Sequence, residues 1–138
     1  MHSPKEREAE ADMAVKSDHE IKALGIYRDL IREYERERRQ DKVRALTVKI
    51  GEAYYSMFLS FKPIIRDGSI TEEEKRRMFE YANGATHAWK AVGETERLTK
   101  LQKDVEAFGS VTEGMNGEGV GTLKRIGITL KLAVKRKI

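Results

Sequence analysis

Lys124, Arg125, Lys131, Lys135, Arg136 and Lys137 follow Gly119 with no carboxylate among them. The chain has 27 Lys and Arg against 23 Asp and Glu. The six cations of this end therefore sit behind a body that sums to −2. A segregated field of this kind attracts a polyanion: nucleic-acid phosphate, an anionic membrane surface or an acidic protein face. Between the cations, Leu123, Ile126, Leu130, Val134 and Ile138 repeat at helical spacing, with Lys124, Lys131 and Lys135 off that face. A basic amphipathic helix can dock on the body of its own chain as a fifth element, dock on another subunit or partner, or lie on a membrane. Phosphate contacts made by its cations would be salt-sensitive. Ile126, Ile128, Leu130, Leu132 and Val134 also alternate, as a strand would. A strand needs a partner edge, and the body offers none, so the helix is preferred.

Catalytic constellations are absent from the linear sequence. His2, His19 and His87 share no ligand spacing, and no HExxH motif occurs. His87 reads as a solvated or satisfied imidazole. A carboxylate metal site in a helical bundle needs inward glutamates joined by Glu-x-x-His. Glu33, Glu35 and Glu37, and Glu72 to Glu74, fall outside the apolar stripes, leaving Glu52 and Glu80 at a core edge. No metal or cofactor is expected. An active site would have to be gathered by folding alone, around Glu52, Glu80, His87 and Arg97. The stretch from Gly117 to Lys124 tests as a phosphate loop but lacks the Gly-Lys-Ser/Thr order, follows no strand and carries Glu118. It reads as linker. Two further basic groups, Arg38, Arg39, Lys42 and Arg44, and Arg76 with Arg77, are interrupted by acids and read as solvated surface. Tyr54, Phe58, Phe61, Tyr81 and Trp89 fall on core stripes, whereas stacking platforms for bases must be exposed. Tyr27, Tyr34 and Tyr55 are left partly free.

The elements that would position these groups are helices. Charged residues make up 36% and apolar residues 39% of 138 residues, polar for a globular chain yet too periodic for a disordered one. Two prolines favour long helices. No cysteine is present, which removes disulfides, thiolate metal sites and cysteine nucleophiles and fits a reducing compartment. No apolar run approaches the roughly 20 residues needed to cross a bilayer. Met1 to Glu10 is charged with no apolar segment behind it, unlike a signal peptide, so cytoplasm is expected.

Four apolar stripes step by three and four. The first helical region spans Pro4 to Gln40, with Ser3 as cap and Glu6 as capping-box acid. A break at Ser17–Asp18, either of which can cap a new helix, precedes its stripe of Ile21, Leu24, Tyr27, Ile31 and Tyr34. A second helix begins near Asp41, carries Val43, Leu46, Ile50, Tyr54, Met57 and Phe61, and stops at Pro63. Asp67-Gly68 forms a turn. Thr71 to Glu74 is a capping box for a third helix bearing Met78, Tyr81, Ala82, Ala85, Trp89 and Val92. Gly84 in mid-helix permits a close crossing or marks a bend. Gly93 separates this from a fourth helix with Leu98, Leu101, Val105 and Phe108. Lys22 to Tyr27 and Gly51 to Tyr55 resemble local phrases of tetratricopeptide hairpins, but the 34-residue spacing is not reproduced.

The sequence therefore predicts an all-α protein. Residues 1–108 form an antiparallel, bundle-like body of four main helices around one core. Residues 109–121, with five glycines in thirteen, form a linker or loop, and residues 122–138 a basic contact segment. The expected function is a non-catalytic interaction or assembly module, a homo-oligomer or part of a larger assembly. The alternative is nucleic-acid binding through the six terminal cations. An anionic membrane surface is the lesser partner, and no transmembrane segment is expected.

Overall fold

Local chemistry sets where the helices start and stop. In the computed structural model, which describes residues 3–113, Ser3 accepts from the Glu6 N–H at 3.2 Å and opens α1, Pro4–Lys16. The chain then passes through Asp18 in the left-handed region (φ 62°), and the His19 N–H closes onto the Ala14 carbonyl at 2.8 Å. This is the Schellman closure of a helix end. The same closure ends α2, Glu20–Arg36, at Arg38 (φ 58°), and ends α5, Glu72–Val92, at Gly93. The predicted break near Ser17–Asp18 is present, but neither residue caps the next helix; His19 holds that position without a side-chain bond.

α3, Gln40–Leu59, ends just before α4, Lys62–Arg66, a single short helix with Pro63 in its first turn. Pro63 thus starts a turn of helix as well as closing the one before. The Thr71–Glu74 capping box forms as predicted, with both reciprocal bonds made. α6, Thr95–Glu113, runs past Phe108 and takes Gly109 to Glu113 into the helix. The predicted linker therefore loses its first five residues to α6.

The all-α class agrees with the sequence, and the six helices among the described residues pack as a bundle in which α3 meets α2 and α5, α1 packs on α2, and α6 packs on α4 and α5. α3 carries one face toward α1 and α6 and the opposite face toward α2 and α5. On the first, Lys49 reaches Glu8 and Asp12 of α1, while Glu52 and Tyr55 reach Arg97 and Asp104 of α6. On the second, Tyr54 meets Arg28 of α2 and packs against Gly84 of α5.

One core was expected, and the buried side chains instead form linked clusters along α3. Leu30, Tyr27, Tyr34, Ala11 and Leu46 gather α1, α2 and the first half of α3. Phe58, Met78, Trp89, Leu98, Leu101 and Val105 gather the second half of α3 with α4, α5 and α6. Leu24, Ala53 and Met57 bridge them. Of the stripe predicted for α2, Leu24, Tyr27 and Tyr34 are buried, together with Ala23 and Leu30, while Ile21 is 68% exposed and Ile31 half-buried. Tyr27 and Tyr34, expected to be partly free, are core residues.

Candidate functional site

The phase of α2 opens a surface on which apolar groups converge without being covered. Because Glu20, Ala23, Leu24 and Tyr27 turn inward, Ile21 lands on the flank that faces α5. Between α2 and α5 lies a groove floored by α3. It comprises two adjoining depressions of about 570 and 360 Å³, both lined by Ile21 and Tyr81. Met57 and Phe61 floor the wider one, and Leu24 and Tyr54 the narrower. A third depression continues around Met13, which is 62% exposed, and shares His19 and Lys22 with the first.

Polar groups along the groove are mostly engaged. Ser56 Oγ donates to Glu20 Oε2 at 3.4 Å, tying the start of α2 to α3 beneath the floor. Lys22 pairs with Glu10 at 3.1 Å and Arg77 with Glu73 at 3.9 Å. Arg28 donates to the Tyr54 hydroxyl at 2.5 Å. Gly84 makes room for the Tyr54 ring: a Cβ there would stand 2.8 Å from it. Of the two readings open for Gly84, the close crossing is the one found, and it shapes the narrower half of the groove. An apolar trough with engaged polar walls suits an amphipathic helix laid lengthwise.

The other polar clusters tie helices together. Lys49 Nζ lies 2.5 Å from Glu8 Oε2 and 2.9 Å from Asp12 Oδ2, and Tyr27 OH donates to Asp12 Oδ1 at 2.6 Å. Burial and then the bond to Asp12 push the Tyr27 hydroxyl far above its ordinary pKa, so it stays a donor. Tyr55, likewise raised by burial and by Asp104, donates to that carboxylate. Lys75 is buried, with Nζ 3.0 Å from Glu72 Oε1 but without hydrogen-bond alignment.

The residues named for a folded active site do not assemble into one. Glu52 and Arg97 meet at 2.8 Å across α3 and α6, with the guanidinium 5.8 Å from the Trp89 ring centroid. Glu80 lines the groove on another face, and His87 is exposed. Among the described residues no group of three or more His, Cys, Asp or Glu could hold a metal ion. No described helix is long and apolar enough to cross a membrane. Lys124, Arg125, Lys131, Lys135, Arg136 and Lys137, and the apolar set Leu123, Ile126, Leu130, Val134 and Ile138, lie outside the described residues.

The groove was missed in the sequence because Ile21 fits a three-four stripe as well as Leu24 does. The signal available was the pair Ala23-Leu24 beside Tyr27 and Leu30, which defines a competing phase. The fold thus defines the class: an all-α, bundle-like protein with an open apolar groove between α2 and α5. No protein-family model, curated protein or solved structure matches the chain.

Proposed function

We propose that this protein is a non-catalytic helical interaction or assembly module that receives an amphipathic helix in the groove between α2 and α5. The observation that carries the reading is Ile21, 68% exposed at the lip of a trough floored by Met57 and Phe61. Burying such a side chain is worth about 1.5–3 kcal/mol. That gain is open only to a partner that lies in the trough. Its basic terminal segment is a second contact element of the same module.

The test is selection of displayed amphipathic helices on the full-length chain. Selected binders should carry apolar anchors at i, i+3 or i+4, and i+7 and lose at least about tenfold in affinity to Ile21→Asp, the loss of about 1.4 kcal/mol or more expected for one buried anchor. Circular dichroism of that variant should match the parent. Binders indifferent to Ile21→Asp would refute the groove as the docking surface.

The charge segregation favours a second reading, nucleic-acid binding through the six terminal cations. Phosphate contacts of this kind position a complex without specifying sequence. Mobility shifts of duplex and single-stranded probes at about 50 and 200 mM salt decide it. Binding at the lower salt, weakened at the higher and by Lys131→Gln, Lys135→Gln and Arg136→Gln together, supports it; no shift at about 50 mM removes it.

A further inference from the structure

We propose that the occupant of the groove is the chain's own residues 122–138, laid apolar side down between α2 and α5. This rests on the reading of the groove as a docking surface and names what fills it.

The first argument is where the described chain ends. α6 returns antiparallel to α5: Arg97, near its start, lies over Trp89, and Phe108, near its end, stacks on Phe58 with ring centroids 4.6 Å apart. Phe58 belongs to the last turn of α3, beside Met57 and just before Ser60 and Phe61, which line the wider half of the groove. The chain therefore leaves α6 at the end of the molecule where the groove is widest.

The second argument is reach. Nine Cα–Cα steps, through eight intervening residues, separate Glu113 from Thr122. They span at most about 30 Å. Neighbouring helix axes stand about 8–10 Å apart, so passing over α5 to the α2–α5 groove requires about 20 Å. The groove runs from Asp18, in the turn before α2, along α2 to Arg28. Ten residues of helix cover about 15 Å. That length accepts three successive apolar anchors of a helix, and the terminal segment supplies Leu123, Ile126, Leu130, Val134 and Ile138 at matching spacing.

The third argument separates this chain from a second copy. A short tether holds its segment at an effective concentration on the order of millimolar. A second copy at micromolar concentration competes poorly for a trough of this size. Charge plays the smaller part, because Lys22 and Arg77 already have Glu10 and Glu73 as partners. The terminal cations stay on the wet side of the segment, available to an acidic or phosphate-bearing partner.

The absence of native cysteine makes the test direct. Lys22→Cys at the groove is combined in turn with Thr122→Cys, Thr129→Cys and Lys137→Cys in the full chain. Lys103→Cys, on the exposed side of α6 and nearer along the chain, serves as control. Docking predicts that the best Lys22 pair closes within one chain at least about tenfold faster than any Lys103 pair. Tethered diffusion alone favours the nearer cysteine. The fast pair should persist at 0.5 M salt and be lost with Ile21→Asp. Equal or slower closure at Lys22, or disulfides joining two chains, overturns the proposal. If selected helices still require Ile21 while no Lys22 pair is favoured, the groove stands with another occupant. If Ile21→Asp affects neither readout, both readings fall.

Discussion

Gly25 and Gly51 lie on adjacent helices, and the same substitution should act on them in opposite directions. A Cβ at Gly25 would meet nothing within 4 Å, and the position is exposed on α2. Gly25→Ala removes a helix-interior glycine and should raise stability by about 0.5–1 kcal/mol. A Cβ at Gly51 would overlap the Trp89 indole. That ring has nowhere to go: it is 2% exposed, donates Nε1 to the Val48 carbonyl at 3.2 Å, and packs 5.6 Å from the Tyr55 ring. Overpacking of this kind costs about 1–3 kcal/mol, which outweighs the propensity gain, so Gly51→Ala should lower stability. Urea denaturation of both variants reads the two signs, and a gain at Gly51 would refute the tight α3–α5 seam. The sequence exposed this unevenly. Gly84 stood out in mid-helix, with a close crossing or a bend as its two readings. Gly51 could be recognised only once α5 was known to lay Trp89 across it.

At the scale of the element, α1 differs from the rest in what holds it. It buries only Ala11 and Ala14, with Val15 half-buried beside them, and much of the rest of its fastening is polar: Arg7 to Glu33 at 2.7 Å, Lys49 to Glu8 and Asp12, and Tyr27 to Asp12. The hydrogen bond from Arg7 holds the Glu33 carboxyl below its ordinary value of 4.5. A carboxyl depressed in the folded state contributes stability above its unfolded pKa and loses it as pH falls through the folded one. Protection of α1 amides from hydrogen exchange should therefore decline as pH drops below about 4.5, ahead of α3 and α5, whose burial is apolar. Burial alone would lower the Lys49 pKa; the bonds to Glu8 and Asp12 outweigh it and leave it raised. Lys49→Met should thus loosen α1 at neutral pH as acid does. Equal protection of α1 and α5 through the acid range, or an unaltered α1 in Lys49→Met, would contradict this account. The start of α1 was legible because Ser3, Pro4 and Glu6 signal it locally. Its fastening was not, because Arg7 and Glu33 are 26 residues apart and meet only through tertiary packing.

For the molecule as a whole, α3 is the member that both groups of helices share. Four apolar stripes announced helices packed on one another, and the all-α class followed. They did not announce that the burial would divide along α3, because periodicity reports which side of a helix is apolar and not which neighbour covers it. The phase of α2 shows the same gap: Ile21 and Leu24 are equivalent as letters in a stripe, and only the positions of α3 and α5 distinguish lip from floor. The division has a measurable consequence. Leu46, 1% exposed, belongs to the α1–α2 side, and Leu101, fully buried, to the α4–α6 side, with no shared cluster neighbours. Leu46→Val and Leu101→Val should each cost about 1 kcal/mol, and together their costs should add within about 0.5 kcal/mol. Phe58 and Phe108 stack directly, so Phe58→Leu and Phe108→Leu should depart from additivity by more than about 0.5 kcal/mol. Urea denaturation of the two double-mutant cycles distinguishes a body with two linked centres from one with a single centre. Coupling between Leu46 and Leu101 as large as that between the stacked rings would mean that α3 transmits packing along its full length. The two halves would then be one core after all.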